Sequence, residues 1–155
     1  MTEPNILFVC LGNICRSPVA EGLFRNRAAT AGLSATCDSA GTGDWHIGDP
    51  PQPGSIEVAR ANGFDISGLS ARQVRPDDFQ NFTHLVALDR ANLSDLKRLA
   101  SPGATASMST LLSHADSLDE DVLDPWGMDT DAFETMFAQI DAGITGLIRN
   151  LRQAM

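Results

Sequence analysis

Asn5-Ile-Leu-Phe-Val-Cys-Leu-Gly-Asn-Ile-Cys-Arg-Ser-Pro18 is the stretch around which the chain is organised. The apolar run from Ile6 to Val9 has the length and branching of a strand buried on both faces. Ser17-Pro18 reads as a helix start, with a hydroxyl residue at the N-cap and proline at the first helical position. Between strand and helix stand Cys10, five residues, Arg16 and Ser17. A loop here gathers backbone N–H groups, the positive end of a helix dipole and a guanidinium around one point. That arrangement suits a tetrahedral oxyanion. The same positive groups stabilise a thiolate on Cys10, which makes it a nucleophile aimed at phosphorus. One Cys six positions before one Arg also occurs by chance, and most such cysteines are small buried residues. Neither G-x-x-x-x-G-K-[ST] nor G-x-G-x-x-G is present. Context favours chemistry: Cys10 ends the first apolar strand, Gly12 permits an unusual loop backbone, and Ser17 follows Arg16 directly.

The rest of the chain supplies a frame for this loop. Residues 17–31 read as the first helix, ended by Gly32, and residues 33–40 as a weaker strand. The Gly- and Pro-rich segment 41–54 is a long loop carrying Trp45 and His46, of the length usually reserved for function. A short helix over 55–62, a helical turn over 77–80 and a strand over 85–88 follow. Asp89 opens a helix bearing Leu93, Leu96 and Leu99, and residues 108–112 form a further candidate strand. An acidic loop over 114–130 precedes the last helix, which Asp131-x-x-Glu134 is expected to open. Its stripe of Phe133, Met136, Phe137, Ile140, Ile144, Leu147, Ile148 and Leu151 is core packing. Buried strands alternating with amphipathic helices predict one doubly wound α/β domain over 1–155 with a parallel sheet. Such sheets place ligands at the carboxyl ends of strands near the switch point, where the first loop lies.

Composition bounds the function. At 155 residues, with 43% hydrophobic and 20% charged residues, the chain resembles an ordinary globular protein. No apolar run approaches ~20 residues, and Met1-Thr-Glu-Pro lacks the basic flank of a signal peptide. Three cysteines make no disulfide framework and fit a reducing compartment, so the expected location is cytoplasmic. Between Leu99 and Ile148 there is no Lys or Arg but nine acids, which leaves the net charge at −9. Such a surface argues against nucleic acid or an anionic membrane as partner and reads as a solvated acidic face. His46, His84 and His114 show no ligand spacing with the cysteines, so no metal and no cofactor are expected.

Phosphate-ester hydrolysis through a covalent intermediate also needs a leaving-group acid. Asp119, Asp121, Asp124 and Asp129 compete for that role on residue chemistry alone. Arg16 is the fork for two phosphate oxygens, the amides of Leu11, Gly12, Asn13, Ile14, Cys15 and Arg16 hold the rest, and the Ser17 hydroxyl donates to Cys10. Trp45 and Trp126, large aromatics in loops, are candidate walls of an aryl slot.

The segment from Phe8 to Pro18 resembles the signature loop of low-molecular-weight protein tyrosine phosphatases. Asp38-Ser39-Ala-Gly41-Thr, Ala71-Arg72-Gln73-Val, Asp89-Arg-Ala-Asn92-Leu and Asp124-Pro125 extend the likeness in the family's order over nearly the whole chain. The resemblance implies a four-stranded sheet of order 2-1-3-4 and hydrolysis of phosphotyrosine in proteins. It implies Cys10 as nucleophile, Arg16 as phosphate ligand and Asp124, in the late Asp-Pro pair, as acid and then base. It assigns Asn13 and Ser39 to pinning the loop, and Arg72, Asp89 and Asn92 to structural support. A phosphotyrosine protein is the implied substrate, inorganic phosphate and other oxyanions the implied inhibitors, and a monomer the expected state. Many members carry two consecutive tyrosines after Asp-Pro. Here Trp126-Gly127 stands there and the chain contains no Tyr, so phosphorylation of that site is excluded.

Three rivals stand beside this reading. An arsenate reductase of the same fold needs further cysteines, and none follows Cys37. Arginine phosphatases carry threonine where Ile14 stands. An anion sensor or redox switch would use a reversible Cys10–Cys15 disulfide.

Overall fold

The computed structural model describes residues 3–155; Met1 and Thr2, part of the segment read as lacking a leader, lie outside it. Its centre is a four-stranded, all-parallel sheet in the order β2-β1-β3-β4, built from β1 (Asn5–Cys10), β2 (Thr36–Gly41), β3 (His84–Ala87) and β4 (Ser107–Thr110). The expected order 2-1-3-4 is therefore present. Five helices flank the sheet: α1 (Arg16–Thr30), α2 (Pro53–Ala61), α3 (Asp78–Asn81), α4 (Arg90–Leu99) and α5 (Thr130–Gln153).

Alternation along β1 sorts the core into two layers. Ile6, Phe8 and Cys10 face α1, α2 and α5, and Phe8 packs on Phe24 with ring centroids 5.6 Å apart. Leu7 and Val9 face the opposite side, against Phe79 of α3 and Leu96 of α4. Because β1 is central, it is apolar on both faces. Because β2 and β3 lie on either side of it, the switch point falls at its carboxyl end, at Cys10.

Several element boundaries differ from expectation for physical reasons. Ser17 is not the N-cap of α1; Cys15 occupies that place without a side-chain cap, and Ser17 lies inside the helix with its hydroxyl bound to the loop. From Arg16 to Phe24 every residue of α1 is buried, so the helix runs through the core and does not lie on it with a single stripe. β2 starts at Thr36, later than expected, because Leu33 folds back to donate its N–H to the Ala28 carbonyl. After Thr110 the chain tightens into a 3-10 turn, Leu111–His114, and does not continue as strand. Asp129, not Asp131, caps α5 by accepting the Ala132 N–H.

The acids of the 114–134 region are not merely solvated. Asp121 pairs with Arg90 at 3.0 Å, and Glu120 accepts the Thr110 hydroxyl at 2.8 Å. Further along, Asp141 pairs with Arg27 at 2.7 Å, tying α5 to α1. Gly146 lets α5 touch the 3-10 turn, since a side chain there would run into the His114 carbonyl.

Candidate active site

At the carboxyl end of β1 the chain wraps around a cleft of about 170 Å3. Cys10 sits in it, 3% exposed, in a hydrogen bond with the Ser17 hydroxyl at 3.0 Å. The Asn13 backbone N–H donates to the same sulfur at 3.3 Å. Asn13 is the one non-glycine residue with positive φ among the described residues (+59°), a left-handed turn that Asn tolerates well. Its side chain holds that turn: Nδ2 donates to Ser17 at 2.7 Å and to Ser39 at 3.0 Å, while Oδ1 accepts the Arg72 N–H at 3.0 Å. Gly41 ends β2 against this loop, where a Cβ would stand 2.7 Å from the Leu11 carbonyl.

Arg16 projects into the cleft from the first turn of α1, 4% exposed. Nη1 donates to Asp89 Oδ2 at 2.7 Å and to the Val122 carbonyl at 3.0 Å. Burial pulls the guanidinium pKa down, but Cys10, Asp89 and Asp124 together outweigh it and the net shift is upward. Asp89 does two jobs, because its other oxygen accepts the Asn92 N–H and caps α4 at 2.7 Å.

Of the four competing acids, Asp124 lines the cleft, its Oδ2 3.9 Å from Arg16 Nη2. Asp121 is engaged by Arg90, whose hydrogen bonds hold its carboxyl below the ordinary range. Asp119 accepts the Asp121 N–H, and Asp129 is spent on the α5 cap. Trp45 and Trp126 both line the cleft and are largely exposed, 68% and 61%. Ile14 and Cys15 complete the lining from the loop. Burial first, then Asp124 and Cys10, push the Cys15 thiol up to about 12, so it stays protonated beside Cys10. Cys10, Cys15 and Cys37 are all free thiols.

Three residues escaped the sequence reading. His46 lines the cleft and pairs with Asp49 at 3.2 Å. Gly41 is needed for close approach, as above. Glu21 is 3% exposed within α1, accepting the Ser39 hydroxyl at 2.6 Å and Arg25 at 2.8 Å. A signal existed for Glu21: Ser17, Glu21 and Arg25 recur every four residues, a polar row down one face of the helix.

Residues 5–155 match the family model for low molecular weight phosphotyrosine protein phosphatase. The chain belongs to this family. It is 40% identical over 152 residues to the low molecular weight protein-tyrosine-phosphatase YfkJ of Bacillus subtilis, with 96% of each chain covered. It is 41% identical over 139 residues to the low molecular weight phosphotyrosine protein phosphatase of Schizosaccharomyces pombe, covering 87% of this chain and 88% of the other. Among solved structures of the fold, the crystal structure of YfkJ superposes with a TM-score of 0.91 over 99% of this chain and 98% of that one, at 39% identity. That of DARP, a Drosophila arginine phosphatase, superposes with 0.90 over 94% and 96%, at 28% identity.

Proposed function

We propose that this protein is a protein tyrosine phosphatase that hydrolyses phosphotyrosine, and small aryl phosphates, through a cysteinyl-phosphate intermediate. The observation that carries this is the convergence of Cys10, Arg16 and Asp124 on one cleft at the end of β1. The Cys10 thiolate attacks phosphorus as the bond to the tyrosyl oxygen breaks, and the Asp124 carboxyl gives its proton to that oxygen. Arg16 and the loop amides hold the equatorial oxygens in the transition state, and Asp89 keeps the guanidinium in place. Asp124, now a carboxylate, takes a proton from the water that attacks phosphocysteine. Phosphate leaves and the thiolate is restored, with the Ser17 hydroxyl stabilising it as leaving group.

A buried nucleophile in a cleft that Trp45 and Trp126 also line favours the long aryl side chain over phosphoserine. Ile14, 4% exposed, adds an apolar wall where a phosphoguanidinium would need a polar one, which favours tyrosine over arginine. Inorganic phosphate and related oxyanions compete for the same loop. The reading includes one catalytic domain acting as a monomer in a reducing compartment; among the described residues, no helix is long and apolar enough to cross a membrane.

The test is hydrolysis of phosphotyrosine and p-nitrophenyl phosphate with chelator and reductant present. Turnover in wild type, none in Cys10→Ser, and an Asp124→Ala defect that is larger on phosphotyrosine are expected. Robust turnover by Cys10→Ser overturns the nucleophile assignment, and an inert wild type overturns the activity.

A further inference from the structure

The polar row of α1 continues beyond the cleft as a chain of hydrogen bonds whose direction can be deduced atom by atom. It runs from Glu21 to Ser39, Asn13, Ser17 and Cys10. The Glu21 carboxylate only accepts, so Ser39 spends its single hydroxyl proton on Glu21 Oε1. Ser39 Oγ must then accept from Asn13, which requires the NH2 end of that amide. The Arg72 N–H, donating to Asn13 Oδ1, demands the same orientation. The second proton of Asn13 Nδ2 goes to Ser17 Oγ, and the Ser17 hydroxyl proton is left for Cys10.

We infer that Glu21 is a positioning residue, which through Ser39, and together with the Arg72 N–H on Asn13, sets the direction of this chain so that Ser17 donates to the Cys10 thiolate. The inference rests on Cys10 being the nucleophile. Turning the Asn13 amide over would let its oxygen take the protons of both serines, and Ser17 would no longer donate to sulfur. That state would strip the buried Glu21 oxygen of its Ser39 partner, which is costly at 3% exposure. Arg25 matters because it occupies the other carboxylate oxygen, Oε2, at 2.8 Å. The charged and titratable neighbours are Arg16, Cys15 and Asp124 at the Cys10 end. At the Glu21 end they are Arg25, Cys37 and Asp38.

Glu21→Gln is an isostere that reverses the chain. The Gln oxygen stays with Arg25 and its NH2 faces Ser39, whose proton then turns to Asn13; accepting it turns the amide over against the single bond from the Arg72 N–H. Removing Arg25 as well frees the Gln oxygen to accept from Ser39 and restores the original direction. The readout is the rate of Cys10 alkylation by iodoacetate against pH, resolved by peptide mapping so that Cys15 and Cys37 are counted separately. The kcat/KM profile on p-nitrophenyl phosphate is recorded beside it.

Glu21→Gln is expected to move the alkylation midpoint up by about one pH unit, because a hydrogen bond to the thiolate is lost. Arg25→Met keeps the wild-type midpoint, and Glu21→Gln with Arg25→Met returns toward it. Ser39→Ala, the second variant if Glu21→Gln fails to fold, cuts the link from Glu21 but leaves the Arg72 N–H on Asn13 Oδ1, so it moves the midpoint in the same direction by less than Glu21→Gln. Simple loss of a buried negative charge predicts the opposite sign for Glu21→Gln. An unchanged or lowered midpoint in that variant, or no recovery in the double variant, overturns the inference. Alkylation does not need turnover, so an inert wild type would overturn the proposed activity while leaving this comparison readable.

Discussion

At the floor of the cleft, Cys10, Asn13, Arg16 and Ser17 are each at most 4% exposed and bound to partners on α1, on β2, in the loop between α2 and α3 and in the loop before α5. At the rim, Trp45 and Trp126 are mostly in solvent, and the Asp124 side chain is 49% exposed. The floor is held from several sides: Arg16 Nη1, the Asn13 amide and the Ser17 hydroxyl have fixed partners, so charge developing on phosphate meets donors that need little rearrangement. The rim side chains stand on the Gly- and Pro-rich loop over 41–54 and the loop over 115–129, with about half or more of their surface in solvent. Changes at the floor should therefore act on the chemical step, and changes at the rim on substrate affinity.

Cys10→Ser is the strongest way to break this contrast, with kcat expected to fall by more than about 10^3-fold while phosphate still binds, as read by turnover and by calorimetry. Arg16→Lys should lose about 10^2–10^3-fold in kcat/KM, because a point charge cannot replace a fork already engaged with Asp89 and Val122. Asp124→Asn should cost about 10^2-fold on phosphotyrosine and clearly less on p-nitrophenyl phosphate, whose leaving group needs little protonation. Equal losses on both substrates would move the acid's identity elsewhere.

Trp45→Ala and Trp126→Ala should raise KM by about 2- to 10-fold with kcat nearly unchanged, the loss of one aromatic contact each. A kcat defect in either would mean that the rim shapes the transition state as well. The smallest effect lies far from both, where burial holds His84 and His114 below the ordinary imidazole range. Below pH ~6.5 the unfolded chain takes up protons that the folded chain resists, so stability falls as pH drops. Urea midpoints at pH 7 and 5.5 should show that fall, and it should be smaller in a His84→Asn, His114→Asn double variant.

Much of the site was legible in residues 5–18 because its chemistry is local. The strand, the loop and the Cys10 to Arg16 spacing act over a few residues, whereas the role of Asn13 came from the resemblance and its positive φ from the structure. Ser17 was read both as a cap and as a donor to Cys10, and only the second role stands. A hydroxyl at that position serves a helix N–H or a thiolate equally well, and only the position of Cys10 Sγ 3.0 Å away decides between them. The α5 cap was misplaced by two residues because Asp129 and Asp131 are chemically equivalent until the helix start is known.

By itself, the sequence determined the alternating strands and helices, the α5 stripe, the family and the loop that holds Cys10, because periodicity and short spacings encode them. Only the tertiary structure decided which carboxylate steadies Arg16 and that Glu21 is buried against Ser39, and of four acids that residue chemistry could not separate it brings Asp124, the one the resemblance singled out, to the cleft. Those contacts join residues 73 positions apart for Arg16 and Asp89 and 18 apart for Glu21 and Ser39. A carboxylate's chemistry is the same wherever it stands in the chain, and its role follows from which partner packing brings within hydrogen-bond reach.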